Sequence, residues 1–213
     1  MEPFISNHQF NIIKHQIAGM QRQVIGTTDQ GVRTAVKEIA EAKVIESFDN
    51  LTSEQEDVLS AISSLGTEEE RNAFLLSLLP YRESFPAITP ADLRGLFPKV
   101  KKLSIPDLNA IDFKALTYLG WKDIGQDKQY FVYPINGKLT GIQGRYVISA
   151  KKGLCHFCGR FGDVAFTSIQ TKAGQQDPYK AFGHYICYDS KECNQSIQNT
   201  ESLEGFLRQV VKM

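Results

Sequence analysis

Cys155-His156-Phe157-Cys158-Gly159 and, further on, Tyr185-Ile-Cys187-Tyr188-Asp189-Ser190-Lys191-Glu192-Cys193-Asn194 hold all four cysteines of this 213-residue chain. The two-residue gap between Cys155 and Cys158 lets both sulfurs face one point, and Gly159 relieves the tight turn that follows, as in a zinc knuckle. Between Cys158 and Cys187 lie two strand-like runs, 164–171 and 179–185, separated by the turn-rich 173–178. Cys187 and Cys193 are six positions apart, which on one continuous helix, at about 100° per residue, would point them to different faces. Cys187 therefore precedes a helix whose first turn carries Cys193, with Asp189 or Ser190 as its cap. Knuckle, hairpin and helix start together make a treble-clef arrangement. It predicts one closed, structural zinc site formed by Cys155, Cys158, Cys187 and Cys193.

The rival for these cysteines is a pair of disulfides, but residues 1–10 contain no charged and then apolar run that would direct the chain to an oxidising compartment. A catalytic zinc would keep a coordination position open, and four thiolates leave none. His156 and His184 are alternative ligands, which four sulfurs make unnecessary.

A hydrophobic content of 42% with 23% charged residues is ordinary for a soluble globular protein, and no apolar run reaches membrane-spanning length. The net charge of zero conceals a split. Residues 1–98 carry 8 Lys and Arg against 14 Asp and Glu, whereas residues 99–213 carry 16 against 10. The basic half, which holds the cysteines, suits an acidic partner, either RNA or an acidic protein face.

From the N-terminus, Phe10, Ile13, Ile17, Met20 and Val24 form a helical stripe, and Val32, Ala35, Val36, Ile39 and Ala40 form a second beyond a break at 26–30. Ser53-Glu-Gln-Glu56 reads as a capping box opening a third helix with Val58, Ile62 and Leu65. Thr67-Glu-Glu-Glu70 opens a fourth, with Phe74, Leu75, Leu78 and Leu79. His8 and His15 have no evident companions for a metal. Four helices on short connections predict an antiparallel bundle over 1–80, which Pro80 closes. The remainder, 81–213, reads as a mixed α/β domain bearing the zinc site. Thr89-Pro90 starts a short helix over 89–97. Residues 129–135 and 138–142 form a hairpin about Asn136-Gly137, with a third strand at 145–149. Trp121, Tyr130, Phe131, Tyr133 and Tyr146 could serve as a nucleic-acid platform, but strand alternation favours a β core. Leu203, Phe206, Leu207, Val210 and Val211 give the last helix one apolar face.

No phosphate-cradling loop, Gly-x-Ser-x-Gly or His-Glu-x-x-His is present, and no acid pairs with a nucleophile, so the sequence favours a binding protein over an enzyme. Flanking cysteines aimed at a metal are expected to turn Phe157 outward, beside Arg160, Phe161, Tyr188 and Lys191. An aromatic anchor ringed by cations is the composition of an interface hot spot for an acidic partner. The alternative is that Phe157 or Phe161 folds back over the sulfurs.

The helical first third, the aromatic middle and the Cys-His-Phe-Cys-Gly-Arg…Tyr-Ile-Cys-Tyr-Asp-Ser-Lys-Glu-Cys-Asn pattern, with gaps of 28 and 5 residues, resemble the FusB-type fusidic acid resistance proteins, also called elongation factor G-binding proteins. The resemblance covers essentially the whole chain. It implies a helical bundle followed by an α/β domain with a four-cysteine zinc site. It further implies a cytoplasmic, monomeric protein that grips the C-terminal domains of elongation factor G, frees that factor from ribosomes stalled by fusidic acid and does not bind the drug. Binding of ribosomal or other RNA by a basic zinc module is the alternative.

Overall fold

Helix starts set the pattern of the N-terminal part. Helix α1 spans Asn7–Ile25, and α2 spans Gln30–Ile45 with the Asp29 carboxylate accepting from the Val32 N–H. Helix α3, Ser53–Ser60, tightens into a 3₁₀ turn over Ala61–Ser64, and α4 runs over Glu68–Ser77. The computed structural model describes residues 1–171 and 180–210, and it divides into two units, Met1–Glu83 and Ser84–Met213. The predicted turn at 173–178, the first residue of the predicted 179–185 strand and Val211 lie outside the described residues.

The N-terminal unit encloses Phe10, Ile13, Ile17, Met20, Ala40, Val44, Leu59, Ile62, Phe74 and Leu78. The stripe expected on α2 is only partly right. Val32 and Ile39 are 47% and 53% exposed, while Ala40 and Val44 are buried. Helix α2 carries small apolar groups on two sides, and the core takes the side roughly a third of a turn round from Val32 and Ile39. The capping box of α3 sits one residue earlier than expected. The Thr52 hydroxyl accepts from Gln55 N–H at 3.3 Å and the Gln55 side chain accepts from Thr52 N–H at 2.9 Å. The sequence satisfies the box pattern in both frames, so pattern alone could not choose. The box at Thr67 and Glu70 forms where expected. Leu79 is exposed because the chain tightens into 3₁₀ geometry over Leu79–Tyr81, where Pro80 sits. The end of this unit is tied to its start, with the Tyr81 carbonyl accepting from Phe4 and Ile5 N–H and Glu83 N–H donating to the Ile5 carbonyl.

The C-terminal unit begins with α5, Pro90–Leu96, capped by Thr89. Strands β1 (Leu119–Asp123), β2 (Lys128–Ile135), β3 (Lys138–Ile148), β6 (Val164–Thr171) and β7 (Lys180–Cys187) form one sheet in the order β1-β2-β3-β6-β7, with every pairing antiparallel. Short strands β4 (Gly153–Leu154) and β5 (Phe161–Gly162) pair separately, and α6 (Ser190–Ser196) and α7 (Glu201–Val210) close the chain. Asn136 and Gly137 take φ of 50° and 75°, the left-handed pair that a two-residue hairpin turn needs. The expected separate strand at 145–149 is instead the far half of β3, because the hairpin ladder runs without interruption to Lys128↔Arg145. Strand β1 was not anticipated.

Alternation along these strands sends the aromatics inward. On one face Leu119, Trp121, Tyr130 and Val132 lie under Leu93 and Phe97 from the α5 region. Trp121 stacks on Tyr130 at 5.0 Å, and Phe97 meets both edge-on. On the other face Phe131, Ile142, Ile169 and Ile186 pack with Phe157, Leu203, Phe206 and Leu207. The segment is therefore a β core, as alternation indicated. Gly141 makes the first contact possible, since a Cβ there would stand 2.8 Å from the Phe97 ring and 2.9 Å from Leu96 Cβ. Gly141→Ala is accordingly expected to lower stability by about 1–3 kcal/mol through overpacking, measured by urea denaturation of the parent and the variant.

Candidate metal centre

The knuckle is shaped by its backbone. Gly159 N–H donates to the Cys155 carbonyl at 2.9 Å and Cys155 N–H to the Arg160 carbonyl at 2.9 Å, with Gly159 at φ 69°. His156 N–H donates to the Tyr185 carbonyl at 2.7 Å, which fastens the knuckle to β7. Cys187 ends β7, and the Asp189 carboxylate then accepts from Lys191 N–H at 2.7 Å to start α6, with Cys193 in its first turn. The expected cap and helix phase are both found.

These elements bring the four sulfurs within 4.8 Å of one another. Cys155 and Cys193 Sγ are 3.8 Å apart, and Cys158 and Cys187 Sγ 3.6 Å. A tetrahedral ion with sulfurs at about 2.3 Å requires sulfur separations of about 3.8 Å, so the donor set fits zinc. Cys187 N–H also donates to Cys155 Sγ at 3.3 Å. Hydrogen bonds from Cys158, Cys187 and Cys193 hold the Cys155 thiol well below the usual thiol range. The Cys187 and Cys193 thiols are pushed up, chiefly by Cys155. The Cys158 thiol is lowered as well, so ionisation is easier at the two knuckle sulfurs than at Cys187 and Cys193, and a divalent cation at the centre lets all four ionise. The chain thus carries one structural zinc site.

A side of the site that the sequence did not announce is its attachment to β1. Asn194, next to Cys193, accepts from Thr117 and Tyr118 N–H at 2.6 and 3.1 Å and donates to the Tyr118 carbonyl at 2.9 Å. Ser190 donates to the Gly120 carbonyl at 2.7 Å, an approach that a Cβ at Gly120 would obstruct, 3.0 Å from Ser190 Cβ. Lys122 Nζ stands 3.9 Å from the Tyr188 ring centre and 5.6 Å from that of Tyr146. Burial lowers the pKa of Lys122 to about 8. The signal available in sequence was only the polar Asn194 beside a ligand.

The outward orientation expected of Phe157 is wrong. Its ring is 3% exposed and meets Tyr118, Phe131 and Phe206 edge-on at 5.5–5.6 Å. The knuckle lies against the sheet face covered by α7, so the side chain between its cysteines points into the core and the reverse side faces solvent. His156 and His184 stack on each other, ring centres 3.7 Å apart, and are not part of the sulfur cluster. Phe161 is 64% exposed, Lys191 is exposed, and Arg160 pairs with Glu192 at 3.1 Å. Tyr188 is half-buried over Lys122.

Comparison with known proteins bears on this arrangement. The profile described as the elongation factor G-binding protein N-terminal region matches residues 4–86, and that of the FBP C-terminal treble-clef zinc finger matches residues 98–210. The chain belongs to the elongation factor G-binding protein family. The solved structure of the fusidic acid resistance protein FusC superposes with a TM-score of 0.80 at 28% identity, covering 97% of each chain. No curated protein matches this member of the family. The treble-clef description agrees with the knuckle, hairpin and helix start seen here.

Two outcomes follow from the site. Because the ligands bind as thiolates, the stabilisation supplied by zinc is present at neutral pH and is lost as acid protonates them. Acidification or Cys193→Ser should release zinc and unfold the C-terminal unit, followed by metal analysis together with circular dichroism. Phe157→Ala should cost about 3–5 kcal/mol through the cavity it leaves, read from denaturant unfolding of the zinc-loaded protein.

Proposed function

We propose that this protein binds elongation factor G and promotes its release from ribosomes stalled by fusidic acid, protecting the drug's target without a catalytic step. The observation that carries this reading is the likeness to FusC across 97% of both chains, at 28% identity, by a member of the elongation factor G-binding family. Binding is assigned to the zinc-bearing unit, 84–213, and to the C-terminal domains of the factor, in the cytoplasm, with the protein acting as a monomer.

The surface supports a protein partner. Among the described residues, the α5 region covers one sheet face over β1 to β3. Further along, Val147, Phe166 and Tyr185 stand in one cross-strand row, 69%, 40% and 50% exposed. Phe166 and Tyr185 meet edge-on at 5.4 Å, and Arg145 is exposed two residues before Val147. On the β4–β5 ribbon, Leu154 and Phe161 are cross-strand partners and both are exposed. Apolar groups of this size, with Arg145, Arg160 and Lys191 as cations, have the composition of an interface with an acidic partner. With Phe157 in the core, the contact falls to Arg160, Phe161, Tyr188 and Lys191 together with this row.

A pull-down with purified elongation factor G and no ribosomes tests the reading. Phe161→Ala or Phe166→Ala should keep zinc and fold yet weaken binding by about 2 kcal/mol. Lys191→Ala should act mainly on the association rate. Sedimentation of drug-stalled ribosomes should show the factor leaving when the protein is added. No association with the factor, together with tight and steeply salt-dependent binding to bare ribosomal RNA, would overturn the proposal in favour of an RNA-binding module.

A further inference from the structure

Gly183 lies in the interior of β7, where glycine weakens a strand and commonly marks a close approach. Backbone conformation does not demand it, since among the described residues positive φ at glycine occurs only at Gly137 and Gly159. What excludes a side chain there is a single ring. A Cβ on Gly183 would stand 2.5 Å from Phe166 Cζ, and 3.1 and 3.2 Å from its Cε1 and Cε2. In the ladder Gly183 is paired with Ser168, and Phe166 with Tyr185. The Phe166 ring therefore leans diagonally out of its own row onto the glycine, while Tyr185 meets it edge-on at 5.4 Å. Tyr185 is itself anchored, because its carbonyl accepts from His156 N–H of the knuckle. The obstruction differs in kind from that at Gly144, where a Cβ would meet the Ser168 carbonyl at 2.8 Å. At Gly183 the obstructing atoms are the tip of a side chain that is 40% exposed and free to swing away.

We propose that Gly183 is a positioning residue of the docking surface: by lacking a side chain it lets the Phe166 ring lie down on β7, and that placement is what elongation factor G meets in the Val147, Phe166 and Tyr185 row. The inference deepens the proposed function and rests on it. β7 is an edge strand, and an aromatic laid over a glycine shields the bare backbone of such a strand. The same contact removes rotamer freedom from an exposed ring before any partner arrives, which lowers the ordering cost of binding. With any larger residue at 183 the ring must turn off the glycine, and a partner fitted to the row meets it out of place. Central, well-packed contacts of an interface tolerate such a displacement poorly.

Gly183→Ala tests this, because the ladder holds β7 and the ring is the part that gives. Zinc content and the denaturant midpoint should stay near those of the parent, while affinity for purified elongation factor G falls about 10-fold or more. In a Phe166→Ala background the same substitution should cost nothing further, since no ring remains to be displaced. This double-mutant cycle separates positioning from any effect of glycine on the strand itself. Parent-like binding by Gly183→Ala, or an equal loss with and without the ring, would overturn the proposal. A parent that does not bind the factor overturns the proposed function and this inference with it, an outcome distinct from a parent that binds and a variant that binds equally well. Should Gly183→Ala fail to fold, NMR of the zinc-loaded parent decides. Overhauser contacts between the Phe166 ring and the Gly183 Cα protons that persist in the complex with the factor support the proposal. Contacts that are missing, or that vanish on binding, refute it.

Discussion

Convergence of four sulfurs within 4.8 Å governs the C-terminal unit, because the sulfurs arrive from three different structural contexts. Two come from the knuckle, one from the end of β7 and one from the first turn of α6. Without a cation such a cluster is frustrated, since the Cys155 thiolate suppresses ionisation of Cys187 and Cys193. With zinc the same crowding becomes a staple worth on the order of 10 kcal/mol of apparent binding free energy. A seven-residue helix such as α6 could not persist alone. Held by Cys193, it presents Ser190 and Asn194 to β1, and the metal's influence extends from one edge of the sheet to the other.

What the sequence disclosed follows from which features are local. Cysteine spacing, the Asp189 cap, the Asn136-Gly137 turn and the box at Thr67 each depend on a few neighbouring residues, and each formed as read. The resemblance carried by the cysteine pattern agreed with the family profiles across both halves. Burial was less legible where two solutions have equal patterns. Helix α2 has apolar groups on two sides, and only tertiary packing selects Ala40 and Val44 over Val32 and Ile39. Strand β1 offered little to detect, because its alternation is confined to Leu119 and Trp121 in a run of five residues. It is recognisable only through its partners β2 and α6.

Phe157 shows how a sound local argument can fail. Ligand directions do send the residue between two cysteines away from the metal, but they do not say whether solvent or core waits there. The answer depends on which side of the knuckle meets the sheet. That is fixed by the long-range bond from His156 to Tyr185 and by Phe206 of α7. The polar Arg160 and the exposed Phe161, two to three residues past the second knuckle cysteine, lie outside this constraint and stay at the surface.

For the proposed role, the useful property of such a unit is stiffness. A protein that draws a factor away from the ribosome can shift that equilibrium only by the difference between its affinities for the free and the bound factor. A surface that adapts equally to both states would bind both and displace neither. Val147, Phe166 and Tyr185 project from three neighbouring strands of one ladder, so their spacing is set by the sheet. Strand β7 ends at the zinc ligand Cys187, and the opposite face is filled by Ile169, Ile186 and Phe206. The backbone positions from which these side chains project cannot shift without breaking the sheet or the metal centre. Stiffness is the physical requirement for discriminating two states of one partner, and it needs no catalytic group.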